Sequence, residues 1–163
     1  MSDNGQDAAG GDEAKQPSLA IIRQYVKDFS FENPNAPDSL APDAPQPEVS
    51  LAANIQARLR VEEHYDVELR IEVKANQGEH TAFVIELVYG GLFLLKDFPD
   101  DAIEPICMIE CPRLLFPFAR RIIADATRDG GYAPLMLDPL DFGAMFRDHK
   151  AQILAQQQPA GMA

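Results

Sequence analysis

The stretch VSLAANIQARLRVEEHYDVELRIEVK (49–74) decides the fold. Its odd positions run Val49, Leu51, Ala53, Ile55, Ala57, Leu59, Val61 and then Tyr65, Val67, Leu69, Ile71, Val73. The even positions between them are mostly polar or charged, among them Gln56, Arg58, Glu68, Arg70, Glu72 and Lys74. Successive side chains of a strand point to opposite faces, so alternation of this length predicts two long antiparallel strands, each with one buried and one wet face. Glu63–His64 falls between them as the reversal.

Working outward, Asn76-Gln77-Gly78 has turn chemistry, and a strand over Glu79–Tyr89 would bury Phe83, Ile85, Leu87 and Tyr89 before stopping at Gly90-Gly91. Residues 19–32, rich in β-branched and aromatic side chains, predict another strand. Leu19, Ile21, Tyr25, Phe29 and Phe31 are expected to face in; Asp28, Ser30 and Glu32 out. Between them Pro34, Pro37, Pro42, Pro45 and Pro47 exclude helix and central strand, leaving a long extended crossover loop.

Helix takes over after Pro105. Pro112 suits a first helical turn, LLFPFARRIIADATRDGG (114–131) has helical spacing, and Gly130-Gly131 ends it. Pro117 predicts a kink or a late start, and the acids Asp97, Asp100, Asp101 and Glu104 read as a solvated loop. Asp141 is the expected N-cap of a second helix, Phe142 to about Ala155, with Phe142, Met145, Phe146 and His149 on one face. Strands followed by helices give an α+β class: a four-stranded antiparallel sheet with a long crossover loop and two C-terminal helices packed on one face. Residues 1–16 read as a disordered acidic tail, 17–155 as a single domain and 156–163 as a flexible tail.

The chain of 163 residues has 26 acidic against 14 basic side chains, a formal charge of −12. That balance opposes nucleic acid and anionic membrane surfaces, both of which are bound through Lys and Arg. The acidic start resembles no export or transit signal, and no apolar run is long enough for membrane insertion. Free Cys107 and Cys111 then place the chain in the cytoplasm, Cys107 reading as a small buried apolar residue among Ile106, Met108 and Ile109. Enzyme signatures fail. His64, His80 and His149 lack metal-ligand spacing, Gly90-Gly91 has no phosphate-loop context, and the acid run lacks calcium-loop spacing. No catalytic residue, metal or cofactor is expected.

What remains is surface. Val84 and Val88 fall on the wet side of their strand beside Glu86, an apolar spot ringed by carboxylates that suits a basic partner. The first helix is apolar around much of its circumference, with Leu114, Leu115, Phe116, Phe118, Ile122 and Ile123. Covering one sheet needs a single stripe. Self-association through this helix and deep wedging within one subunit both satisfy the excess.

At this point several segments are similar to a known family. KDFSFENPNAP (27–37), QPEVSL (46–51), GEHTAFVIEL (78–87) with Gly90-Gly91, CPRLLFPFARRII (111–123) and APLMLDPLDFGAMF (133–146) resemble the bacterial protein-export chaperone family SecB, in the family's order over about residues 19–150. The resemblance implies a cytosolic holdase that uses no ATP, is not an enzyme, binds unfolded precursor proteins and delivers them to the SecA motor. It implies a homotetramer, a dimer of dimers. The SecA contact carries over to Asp28, Glu32, Val84 and Glu86, with Val84 in place of a leucine. Clients would lie in apolar grooves at Val49, Leu51, Leu92, Phe93, Phe142 and Phe146; Ala44-Pro45 stand where relatives carry a tryptophan. Phe83, Ile85 and Leu87 with Leu115, Phe118 and Ile122 are the expected interface between copies. The family's extreme C-terminus also meets SecA; here it is short and rich in glutamine. The rival readings are a small-ligand-binding or enzyme subunit using the sheet–helix cleft, and a toxin–antitoxin-linked SecB-like chaperone.

Overall fold

The alternation over 49–74 folds as the expected hairpin, β2 (Glu48–Val61) and β3 (His64–Gln77), but it turns one residue earlier than expected, at Glu62–Glu63, with Glu63 at φ 60° and His64 already in β3. The structure is a computed structural model describing residues 14–158. Most of the expected acidic tail (1–13) and the last five residues (159–163) lie outside the described residues. With β1 (Ser18–Glu32) and β4 (His80–Lys96), the hairpin completes an antiparallel sheet of four strands in the order β1-β4-β3-β2, so β1 and β2 are its edges. Residues 33–47 form the crossover, tightened once by a short turn at Asp38–Leu40.

β4 runs straight through Gly90-Gly91, which correct the expected stop into a packing device. A Cβ on Gly90 would lie 2.6 Å from the Tyr25 ring, and one on Gly91 2.7 Å from Phe93 and 2.9 Å from Leu115. The sheet is bare at these two residues because side chains on both faces lie directly on its backbone.

β1 corrects the parity assigned to it. Register shifts at Ile21/Arg23 and Val26/Asp28 each place an extra residue in the strand. Between the two shifts the faces exchange: Val26 pairs with Tyr89 and faces the helices, while Tyr25 pairs with Gly90 and lies on the outer face. Beyond them Leu19, Ile21, Phe29 and Phe31 face in as expected.

The helical layer begins earlier than the sequence suggests. α1 (Asp100–Pro105) passes through a wider π turn (Ile106–Glu110) into α2 (Cys111–Asp129). Pro99 is extended ahead of it, and Asp100 and Asp101 occupy its first turn, where carboxylates meet the positive end of the helix dipole. The acids expected in a loop therefore start a helix. Pro112 has no N–H to offer the carbonyl four residues back, and the widened turn sits directly before it. Pro117 neither delays nor ends α2, whose face carrying Leu115, Phe116, Ala119 and Ile123 is sealed on the sheet. α3 (Phe142–Gln157) is capped by Asp141, whose Oδ1 accepts from Ala144 N–H at 2.9 Å, and it runs two residues past the expected end.

α2 lies across β4 and β3; the π turn reaches β3 and β2, and α3 packs on that turn. Beneath them Val67, Leu69, Ile71, Val73, Ile85 and Leu87 are at most 1 % exposed. The inner face of β2 is different: only Ile55 is buried, while Val49, Leu51 and Leu59 are 44 %, 39 % and 62 % exposed. Val61, expected to face in, follows a register shift, pairs with His64 and lies on the outer face.

Candidate functional site

Three surfaces were expected from the sequence, and each can be built from the register. On the outer face Asp28 pairs with Val88, Ser30 with Glu86 and Glu32 with Val84. Asp28, Glu32, Val84 and Glu86 thus share one face of two neighbouring strands, the three carboxylates exposed and Val84 half-buried. Across from them on β3 stand Arg70, Glu72 and Lys74, opposite Val88, Glu86 and Val84. The patch is acidic toward β1 and mixed toward β3, where a sequence reading of one strand at a time misses the two cations. Val88 departs from expectation: it is 4 % exposed, shielded between the longer Asp28 and Arg70.

The patch is braced at one end. The Tyr25 hydroxyl donates to Asp66 Oδ1 at 2.5 Å while its ring covers Gly90, and Lys27 is ion-paired with the nearly buried Glu68. Burial, reinforced by the hydrogen bond to Asp66, raises the Tyr25 pKa above its usual value. This bracing fixes β1 on β4 where the bulges would otherwise weaken the register.

On the inner face, clefts follow β2 from end to end. One of about 390 Å³ lies between the crossover and the α2–α3 connection, with Val49, Phe83, Tyr132 and Leu135 among its walls. A second, about 270 Å³, is bounded by Ala53, Ile55, Met145 and Phe146. A third, about 440 Å³, takes in Ala57, Leu59, Ile103 and Met108 with Asp100 and Glu104 at its margin.

Of the six expected groove residues, Val49, Leu51 and Phe146 belong to this face and have surface to offer. The other three are corrected. Leu92 is at an even position of β4, paired with Arg23 and Asp66 on the outer face. Phe93 is fully buried, and Phe142 is 2 % exposed with its ring edge-on to Phe116 at 6.2 Å. Leu59, Met108, Met145 and Leu135 were missed; Leu59 carried a signal in its odd parity on β2 and Met145 in sharing a helix face with Phe146, while Met108 and Leu135 carried none.

The expected interface between copies is corrected in the same way. Ile85, Leu87 and Leu115 are fully buried and Phe83 is 3 % exposed, all within their own chain, so they have no surface left for a partner. Phe118 is 43 % exposed, stacked on Tyr89 at 6.2 Å, and Ile122 is half-buried. The apolar surface actually open at that side comprises Ile21, Val26 and Phe29 of β1 with Leu114 and Phe118 of α2. The excess apolar load of the first helix is therefore partly bare rather than wedged inside the chain.

Nothing in the described residues gathers three His, Cys, Asp or Glu side chains into a metal site. No described helix is long and apolar enough to cross a membrane. Cys107 and Cys111 are free and buried; a hydrogen bond between the thiols lowers the Cys107 pKa and raises that of Cys111.

Comparison with known proteins follows the same lines. Residues 12–153 match the family model described as preprotein translocase subunit SecB. The protein-export protein SecB of Bartonella quintana is 50% identical over 147 residues, covering 89% of this chain and 93% of the relative. That of Xanthobacter autotrophicus is 51% identical over 136 residues, covering 83% and 87%. Among solved structures, a SecB-like chaperone of Mycobacterium tuberculosis in complex with an antitoxin peptide superposes with a TM-score of 0.58 at 13% identity, covering 75% of this chain and 90% of that one. At that identity the likeness is one of fold.

Proposed function

The chain belongs to the SecB family, and on that premise we propose that it is a cytoplasmic, ATP-independent holdase that binds unfolded precursor proteins along β2 and passes them to SecA. One observation carries the reading. A chain whose core is otherwise complete leaves the inner face of an edge strand bare, with clefts along it. From Val49 to Leu59 a strand rises about 3.3 Å per residue, so the groove is roughly 33 Å long, enough for an extended segment of about ten residues. Apolar burial at about 25 cal/mol per Å², with few directional groups in the lining, favours any apolar segment over a specific sequence.

Copies would associate through the bare β1 edge and the exposed Leu114 and Phe118, assembling as a dimer of dimers. An assembly of four would carry four times the −12 of one chain, which keeps an apolar-grooved particle in solution and favours a basic partner. Asp28, Glu32, Val84 and Glu86 form the proposed SecA contact. No catalytic step is part of this activity.

The test has two arms. Light scattering of a reduced, unfolded protein should show aggregation suppressed without nucleotide; unsuppressed aggregation rejects the holdase. Glu86→Lys should weaken SecA binding about tenfold at physiological salt while suppression stays as it was. SecA affinity left unchanged by that variant rejects the outer-face assignment.

A further inference from the structure

The crossover segment 41–47 is a thin wall between two voids. On one side is the 390 Å³ cleft at the Val49 end of the groove; on the other is a cleft of about 410 Å³ with Asn35, Asp38, Asp43 and His80 at its margin. Both clefts share Ser39, Ala41, Ala44, Pro45 and Gln77, so nothing is packed behind the wall to hold it. Its backbone has little of its own to use. Pro42, Pro45 and Pro47 have no N–H, and the segment is closed by Ala44 N–H donating to the Ala41 carbonyl at 3.0 Å.

The near end of the crossover is anchored separately. Tyr132 Oη lies 2.8 Å from Ser39 Oγ, 2.9 Å from Asn33 Oδ1 and 3.1 Å from the Ala82 carbonyl, and Asn33 Nδ2 donates to the Gly130 carbonyl at 2.9 Å. The far end depends on one side chain. Gln77, the last residue of β3 and 8 % exposed, donates from Nε2 to the Ser39 carbonyl at 2.9 Å and to the Pro45 carbonyl at 3.0 Å. A primary amide has two hydrogens, and these two carbonyls use both.

We infer that Gln77 is a positioning residue: by clamping Ser39 and Pro45 it fixes the wall of the Val49 end of the groove and sets which side chains of a bound segment that end accepts. The inference rests on the client-groove reading above. With the wall fixed, the cleft is bounded by Val49, Tyr132 and Leu135, which have surface to offer, and favours a bulky apolar side chain in the client. With the wall released into the void behind it, contact with a large side chain is lost more than contact with a small one, and the preference flattens.

The experiment uses Gln77→Leu, which keeps the volume without the donors, and Gln77→Glu, a second variant of matching shape that cannot donate when ionised. Hydrogen exchange is followed at the Ala41 and Ala44 amides. Affinity is measured for two unfolded peptides differing only in one Phe replaced by Ala. Both variants should speed exchange at these amides about tenfold while β3 and β4 remain protected, and the Phe-to-Ala affinity ratio should fall about threefold. A merely destabilised protein would weaken both peptides alike. Unchanged exchange in both variants overturns the clamp, and faster exchange with an unchanged ratio overturns its role in selection. Leu51→Asp is measured alongside: intact peptide binding there rejects the groove and with it the positioning role, whereas weakened binding with either Gln77 failure rejects the inference alone.

Discussion

β2 and β3 are consecutive strands with the same alternation and nearly the same length, yet they end in opposite states. The odd side chains of β3 from Val67 to Ala75 are at most 1 % exposed, whereas Val49, Leu51 and Leu59 on the same face of β2 are 39 to 62 % exposed. Width accounts for the difference. Four strands about 4.8 Å apart present a face roughly 19 Å across, while a helix with its side chains is about 10–12 Å wide. One helix laid over β4 and β3 leaves both edge strands short of cover. A bare apolar strip flanks each side of α2: β2 on one, Ile21, Val26 and Phe29 on the other. The layer that completes the core thereby creates the surfaces available to clients and to further copies.

The contrast breaks most sharply at Ile85. A lysine there puts an ammonium among Val73, Phe31 and α2 with no partner, a loss of several kcal/mol that exceeds what most single substitutions cost. Ile85→Lys should give no folded protein by far-UV circular dichroism; a variant melting at the wild-type temperature would refute the assignment of Ile85 to the core. The counterpart on the edge strand is Leu51→Asp. Leu51 is paired with the core residue Val73 but has no helix above it. The variant should melt within a few degrees of wild type and bind an unfolded client about tenfold more weakly. Equal losses of stability in the two variants would mean that β2 is covered after all.

Periodicity was enough to read which way side chains point on most of β2, β3 and β4, because alternation has a fixed period and the register is pinned by the buried face. It fails beyond the register shifts, where odd Val61 and Thr81 pair with even His64 and Asn76. It says nothing about cover. Ile85 and Leu51 are indistinguishable in that respect, so core residues were expected at an interface and sealed Phe93 and Phe142 in a groove. The even position of Leu92 already placed it outside. The β1 bulges leave no mark in a string of apolar and polar residues, and Tyr25 was placed inside by its odd position; the register shift, with the bare Gly90 opposite, puts it on the outer face. The common face of Asp28, Glu32, Val84 and Glu86 agrees with parity because the two β1 shifts cancel before Asp28, while their selection as a contact came from the family resemblance. The Gln77 clamp was not legible, since its acceptors are backbone carbonyls 38 and 32 residues away in the chain.

Tyr25 supplies the smallest effect and the finest test of how the two faces differ. Its ring sits on the wet side, so Tyr25→Phe leaves the ring over Gly90 and removes only the hydrogen bond to Asp66. That should cost about 1 kcal/mol, a melting shift of about 2–4 °C. The shift must also depend on pH. The folded chain holds the Tyr25 proton more tightly than the ordinary value of 10.0, chiefly through burial, so the associated stability is fully present below pH 10 and is lost as pH rises beyond it. Tyr65 and Tyr89 are raised as well, but they are common to both proteins and drop out of the difference. The gap between wild type and Tyr25→Phe should therefore be constant from pH 7 to 9 and narrow above pH 10. A gap that stays constant at alkaline pH would mean that the hydroxyl ionises as readily in the folded chain as in the unfolded one, and would reject its burial against Asp66.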